Sequence, residues 1–152
     1  MKTFNFLFPK IIEFENLLFA VKKAARGKRE KLNVMSFFNE LEENVIQLQT
    51  ELNHKTYLPG QYKTFQIYAP KPRLISAAQF RDRVVHHALI NIIGYRLERS
   101  FIYDSYANRK RKGTHKAIQR YQKFLNQYEF VLKCDIKKYF PSIDHIILKS
   151  LL

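Results

Sequence analysis

The chain has 152 residues, 46% of them hydrophobic and 14% aromatic, enough apolar material for one ordinary core and inconsistent with a disordered tail. Lys and Arg number 27 against 13 Asp and Glu, a formal net charge of +14, which points to a polyanionic partner, nucleic acid by default, over a merely basic soluble protein. The single cysteine, Cys134, excludes an intramolecular disulfide and suits the cytoplasm, and the N-terminal apolar patches, interrupted by Lys10, Glu13 and Glu15, make no clean signal peptide or membrane span.

Residues 1–21 alternate apolar and polar positions and predict a short helix or two. A charge run follows over 22–31, with Lys22, Lys23, Arg26, Lys28, Arg29 and Lys31 around Gly27. It reads equally as a phosphate-contacting loop and as a solvated segment. From 34 to 52 the apolar residues Val34, Phe38, Leu41, Val45, Leu48 and Leu52 recur at spacings of 4, 3, 4, 3 and 4, one stripe of one helix, with Asn33 as N-cap. Packing within its own domain is expected of that stripe, not a coiled coil.

Tyr57-Leu58-Pro59-Gly60 signals a turn. Residues 61–69 then alternate, Tyr62, Thr64, Gln66 and Tyr68 on one face and Lys63, Phe65 and Ile67 on the other, as a strand does. Pro70 and Pro72 break it, and Arg73-Leu74-Ile75-Ser76 completes a basic hairpin with Lys71 and Arg73 near its tip. A long helix is predicted over 80–99, with Val85, Ala88, Leu89, Ile92, Ile93 and Leu97 on the inner face and Asp82 near the positive end of its dipole. After a loop at 104–108 comes a second basic cluster, Arg109-Lys110-Arg111-Lys112-Gly113. Thr114 is expected to cap a helix to about 127, burying Ala117, Ile118, Tyr121, Phe124 and Leu125. A strand over 129–135 and a helix from Ser142 close the pattern. No repeat or linker divides the chain.

The last strand delivers one carboxylate, Asp135, to its tip, followed by Lys137, Lys138, Tyr139 and Phe140. This resembles the first catalytic motif of reverse transcriptases. Further segments follow that family's sequence blocks in order: Ala69-Pro-Lys-Pro-Arg-Leu-Ile-Ser76, Phe80-Arg-Asp-Arg-Val-Val-His-His87, Phe101-Ile-Tyr-Asp-Ser-Tyr-Ala-Asn-Arg-Lys110 and Gly113-Thr-His115. From Tyr57 onward, about two thirds of the chain is similar to the fingers and early palm of bacterial reverse transcriptases, in the branch that includes diversity-generating retroelements and group II introns.

The resemblance implies an α+β fold, part of a right-hand polymerase: a helical extension over 1–56, fingers over 57–128 and the start of the palm over 129–152. It implies an RNA-directed DNA polymerase whose partners are an RNA template, a DNA primer, deoxynucleoside triphosphates and an accessory retroelement protein. Phosphoryl transfer of this kind rests on charge neutralisation by magnesium, held by oxygen ligands. Asp135 is the implied catalytic and metal-binding carboxylate, with the carbonyl of Ile136 as a further ligand. Phe140 falls beneath the sugar of the incoming nucleotide, where it would exclude a 2′-hydroxyl, while Tyr139 reads as a core aromatic. Lys71 and Arg73 fall on the hairpin that meets the triphosphate, a role that suits the planar fork of Arg.

Arg81, Arg83 and Arg109 fall in blocks that shape the template side of the fingers, with structural ion pairing to Asp82 and Asp104 as the alternative. Arg111 and Lys112 are expected to contact the nucleic-acid backbone without regard to sequence. His86, His87, His115 and His145 lack chelating spacing and read as structural, and Cys134 reads as a small buried residue. The sequence contains no Tyr-x-Asp-Asp, the second carboxylate motif of the family, so these 152 residues by themselves are expected not to polymerise DNA, as a fragment of a longer enzyme. The alternative is a non-catalytic basic module that binds RNA through the same fingers.

Overall fold

In the computed structural model, which describes residues 5–151, the first helices form where the apolar spacing expects them. Helix α1 spans Leu7–Ile12 and α2 spans Phe14–Ala24. Leu17, Ala20, Val21 and Ala24 line one face of α2 and are buried there. The charge run then winds through successive turns, with Gly27 at a φ of 67°, a conformation that glycine adopts at little cost.

The stripe over 34–52 folds as two helices, not one: α3 at Leu32–Asn39 and α4 at Leu41–Asn53. The chain bends at Glu40, whose φ of −124° and ψ of 47° are not helical. Asn44 steadies the bend by donating from Nδ2 to the Phe37 carbonyl at 3.2 Å. The bend turns Phe37 into the core in place of Phe38, which is only partly covered. Asn33 lies inside α3 and caps nothing; Lys31 occupies the N-cap position without a side-chain bond.

Strands β1 (Lys63–Ile67) and β2 (Arg73–Ala77) pair antiparallel, Lys63 opposite Ala77 and Ile67 opposite Arg73. This is the expected hairpin, and it is the only sheet among the described residues. Helix α5 follows at Phe80–Ser100. Its deepest apolar residues are Phe80, Val84 and Ala88, spaced by four, while Leu89 and Leu97 of the expected inner face stay exposed. The reason is the partner: α5 packs chiefly on α2, whose Ala20 and Ala24 allow close approach, so the small Ala88 sets which stripe turns inward.

Asn16 fixes that contact. Its Nδ2 donates to the carbonyls of Ile11 at 2.8 Å and Ala88 at 3.1 Å, and its Oδ1 accepts from Asn91 at 2.9 Å. Phe37 meets Phe80 edge to face at 5.1 Å. Helices α1 to α5 thus share one core, with Leu17, Leu48, Val21, Val34, Val45 and Val84 fully enclosed. Each such side chain contributes about 1.5–3 kcal/mol on leaving water. The expected helical extension and the start of the expected fingers therefore lie in the same compact unit.

That unit closes at Phe101, and a second begins at Ile102. In the second, a looped segment leads to α6 at Thr114–Leu125, then to a 3₁₀ turn at Phe140–Ser142 and to α7 at His145–Leu151. Gly113, with a φ of 97°, takes the N-cap position of α6, and Thr114 makes no capping bond. None of α6 is buried: Ile118, Tyr121 and Leu125 carry its apolar stripe in the open. The expected strand over 129–135 does not form, because a segment becomes a strand only by pairing with a neighbour, and among the described residues only β1 and β2 pair. Cys134 is accordingly exposed, not buried. The last helix starts at His145, later than the expected Ser142, because Asp144 caps it, accepting from the amides of Ile146 at 2.7 Å and Ile147 at 3.2 Å.

Seven α-helices and one two-stranded hairpin among the described residues make a mixed α+β protein. No described helix is long and apolar enough to cross a membrane.

Candidate nucleic-acid interface

The hairpin owes its place to a buried carboxylate. Asp82 in the first turn of α5 is 2% exposed. It accepts from the Tyr57 hydroxyl at 2.6 Å and from the Gly60 amide at 3.0 Å. Gly60 lies three residues before β1, and Asp82 five residues after β2, so this side chain closes the base of the hairpin by binding the segment that leads into β1. Burial first, and then the Asp82 hydrogen bond, push the Tyr57 hydroxyl well above the usual tyrosine range. At the other end, Lys71 and Arg73 stand exposed around the turn.

The two arginines in the first turn of α5 are more occupied than the sequence suggested. Arg81 pairs with Glu51 at the end of α4 and lies over the Tyr57 ring at 5.1 Å. Asp82, expected as its ion-pair partner, is taken by Tyr57 and Gly60 instead. Arg81 therefore joins α4 to α5. Arg83 lies over the Phe80 ring at 5.5 Å, and its buried Nε has no partner among the described residues. Of the histidines, His87 is half-buried; burial, followed by Lys23 and Arg83, holds its imidazole below the usual value.

Asp135, Ile136 and Phe140 belong to the second unit. Asp135 is exposed at the end of the unpaired 129–135 segment, not at the tip of a strand. The Asp135 carboxylate with the Ile136 carbonyl falls short of the ligand set that a pair of magnesium ions takes, and no group of three or more metal-binding side chains occurs among the described residues. Phe140 is 80% exposed and meets Tyr139 edge to face at 5.2 Å. Tyr139 is itself 52% exposed and is not the core aromatic expected of it.

The second basic cluster organises a cleft. Arg109 donates to the carbonyls of Ile102 at 2.8 Å and Ser105 at 3.1 Å, which folds the loop over 102–109. Lys112 donates to the Tyr103 carbonyl at 2.6 Å and lies over the rings of Tyr103 at 3.7 Å and Tyr106 at 4.8 Å. Arg120 on α6 grips Asp104 with two nitrogens, Nε to Oδ1 at 2.9 Å and Nη2 to Oδ2 at 3.2 Å, and stacks on Phe124 at 4.4 Å. That hydrogen bond is the first reason the Asp104 carboxyl sits below the usual carboxylate range.

Between this loop and α6 lies an open cleft of about 650 Å³, lined by Arg111, Lys112, Lys116, Arg120 and Lys123 together with Tyr103, Tyr106 and the amides of Gln119, Gln122 and Asn126. Sequence reasoning found Arg111 and Lys112 but missed Lys116, Arg120 and Lys123. Their spacing of four and three, a single helix face, was the available signal.

No family model matches the chain, and no curated protein shows significant similarity to it.

Proposed function

We propose that this chain supplies the fingers and the opening of the palm of an RNA-directed DNA polymerase. The parent reaction joins a deoxynucleotide to the 3′ end of a DNA primer on an RNA template and releases pyrophosphate. Lys71 and Arg73 hold the triphosphate, Phe140 lies against the sugar, and Asp135 lends one carboxylate to the magnesium site that such reactions use. The second carboxylate comes from a Tyr-x-Asp-Asp segment that these 152 residues do not contain. The observation that carries the reading is the hairpin. The block Ala69-Pro-Lys-Pro-Arg-Leu-Ile-Ser76, which resembles a triphosphate-contacting segment, sits on an exposed hairpin with its two cations around the turn, and the segment leading into β1 is bonded to Asp82 of α5.

The test is primer extension by a gene product that joins these residues to such a segment. Asp135→Asn is expected to abolish extension, and Lys71→Gln with Arg73→Gln to raise KM for the triphosphate. Undiminished extension by Asp135→Asn overturns the proposal. The cationic cleft of the second unit favours a second reading, a non-catalytic RNA-binding module, under which Asp135→Ala leaves function intact.

A further inference from the structure

Residues 32–54 contain no Lys or Arg, although the chain carries a net charge of +14. Helix α3 opens this stretch, and its two ends carry opposite charge. Lys28, Arg29 and Lys31 precede it, with Glu30 as the one acid among them, and Glu40, Glu42 and Glu43 follow it. These side chains are exposed and form no ion pair among the described residues. Both placements run against the dipole of α3, which favours acids at the amino end and cations at the carboxyl end. Between the two ends α3 turns a stripe to solvent. Leu32, 84% exposed, Met35, 49% exposed, Ser36 and Asn39 recur at helical spacing, on the side away from the buried Val34 and Phe37.

These charges are placed symmetrically. Counted outward from the peptide between Met35 and Ser36, Lys31 and Glu40 are equally distant, as are Arg29 and Glu42, and Lys28 and Glu43. Glu30 alone falls opposite an uncharged residue, Leu41. A twofold axis at that peptide runs a second α3 antiparallel to the first and sets each cation against an acid. We propose that the outward face of α3 joins two copies of this chain, with the axis near Met35 and Ser36. Lys28, Arg29 and Lys31 of one copy face Glu43, Glu42 and Glu40 of the other, and the axis repeats each pairing at the far end of a seam about 12 Å long at 1.5 Å per residue. Met35 meets its counterpart beside Ser36, whose small side chain lets the helices approach. The second copy also brings acids to the amino end of α3 and cations to its carboxyl end, the order that the dipole favours. A polyanion fits the basic end alone and is repelled by the acids at the other. The seam is short, so the dimer is a weak one. The inference uses neither Asp135 nor the hairpin and goes beyond the functional reading.

Sedimentation velocity of the nuclease-treated 152-residue chain at about 100 µM, a concentration suited to small interfaces, is the test. A reversible, concentration-dependent dimer is expected. Glu42→Lys with Glu43→Lys makes both ends of α3 basic, and Lys28→Glu with Arg29→Glu makes both acidic. All four positions are exposed, and circular dichroism checks that each variant folds. Each double variant by itself is expected to associate about tenfold more weakly or less, since like charges then meet at both ends of the seam. An equimolar mixture of the two is expected to dimerise as the unaltered chain does, because each supplies the charge that the other lacks. Chains that had merely lost their fold do not recover on mixing, so the rescue separates pairing from misfolding. An unaltered chain that stays monomeric overturns the proposal, as do dimers that persist in both variants or a mixture that fails to dimerise. Loss in only one of the two variants assigns the altered charges to partners elsewhere, such as Arg111 and Lys112 of the second unit, and overturns it too.

Discussion

Replacing Asp82 with Ala removes the one buried acidic side chain among the described residues and with it two hydrogen bonds, from the Tyr57 hydroxyl at 2.6 Å and the Gly60 amide at 3.0 Å. Hydrogen bonds to a charged group contribute about 1.5–3 kcal/mol each. Against their loss stands the relief of desolvating a carboxylate, which offsets part of it. Tyr57, half-buried, is left without its acceptor. The net expectation is a destabilisation of about 2–4 kcal/mol. Urea unfolding followed at 222 nm measures it, since the five helices of the first unit carry most of the signal. A loss of that size lowers the midpoint by roughly 1–2 M, with m in the usual range for a small domain.

The sharper readout is a double-mutant cycle with Tyr57→Phe. If the hydroxyl acts through Asp82, the two losses are not additive, and a coupling of about 1 kcal/mol or more remains. Amide exchange gives the structural counterpart: β1 and β2 are expected to exchange faster in Asp82→Ala, while α2 and α4 keep most of their protection. Additive losses, or a destabilisation by Asp82→Ala below about 0.5 kcal/mol, refute the claim that this carboxylate anchors the hairpin.

Phe37→Ala deletes a buried ring that meets Phe80 edge to face and should cost about 3–5 kcal/mol in the same urea assay, whereas Phe38→Ala, at the partly covered position, should cost clearly less. For His87, burial and the nearby Lys23 and Arg83 favour the neutral imidazole in the folded state. The unfolded chain takes up a proton there near pH 6.5 and the folded chain only at lower pH. The contribution is therefore fully present above about pH 6.5 and is lost as pH falls toward the folded value. His87→Gln is expected to flatten that part of the stability profile, and an unchanged profile refutes the assignment.

Much of the local structure was legible because it depends on neighbours in sequence. The period of the apolar residues located α1, α2 and α5, and the alternation around Pro70 and Pro72 located the hairpin with its basic tip. These patterns are written by side-chain geometry within a few residues. The stripe over 34–52 misled because a period of 3.5 describes one straight helix and two bent ones equally well. Only the fit of Phe37 against Phe80 selects the bend at Glu40. Lys116, Arg120 and Lys123 were visible as a helical row, but the loop that makes them one wall of a cleft depends on Arg109, Lys112 and Asp104 finding partners several residues away.

By itself, then, the sequence determined the basic charge, the helix-rich α+β class, the hairpin and the placement of Lys71 and Arg73 around its turn, since composition and short-range periodicity suffice for each. Tertiary structure decided which face of α5 is buried, that Asp82 serves Tyr57 and Gly60 and not an arginine, and that Arg81 belongs to Glu51. It also decided that residues 129–135 stay unpaired, leaving Cys134 and Asp135 exposed. Each of these turns on partners far apart in the chain. A strand in particular is a property of two segments, and one segment's apolar run cannot supply the hydrogen bonds of the other.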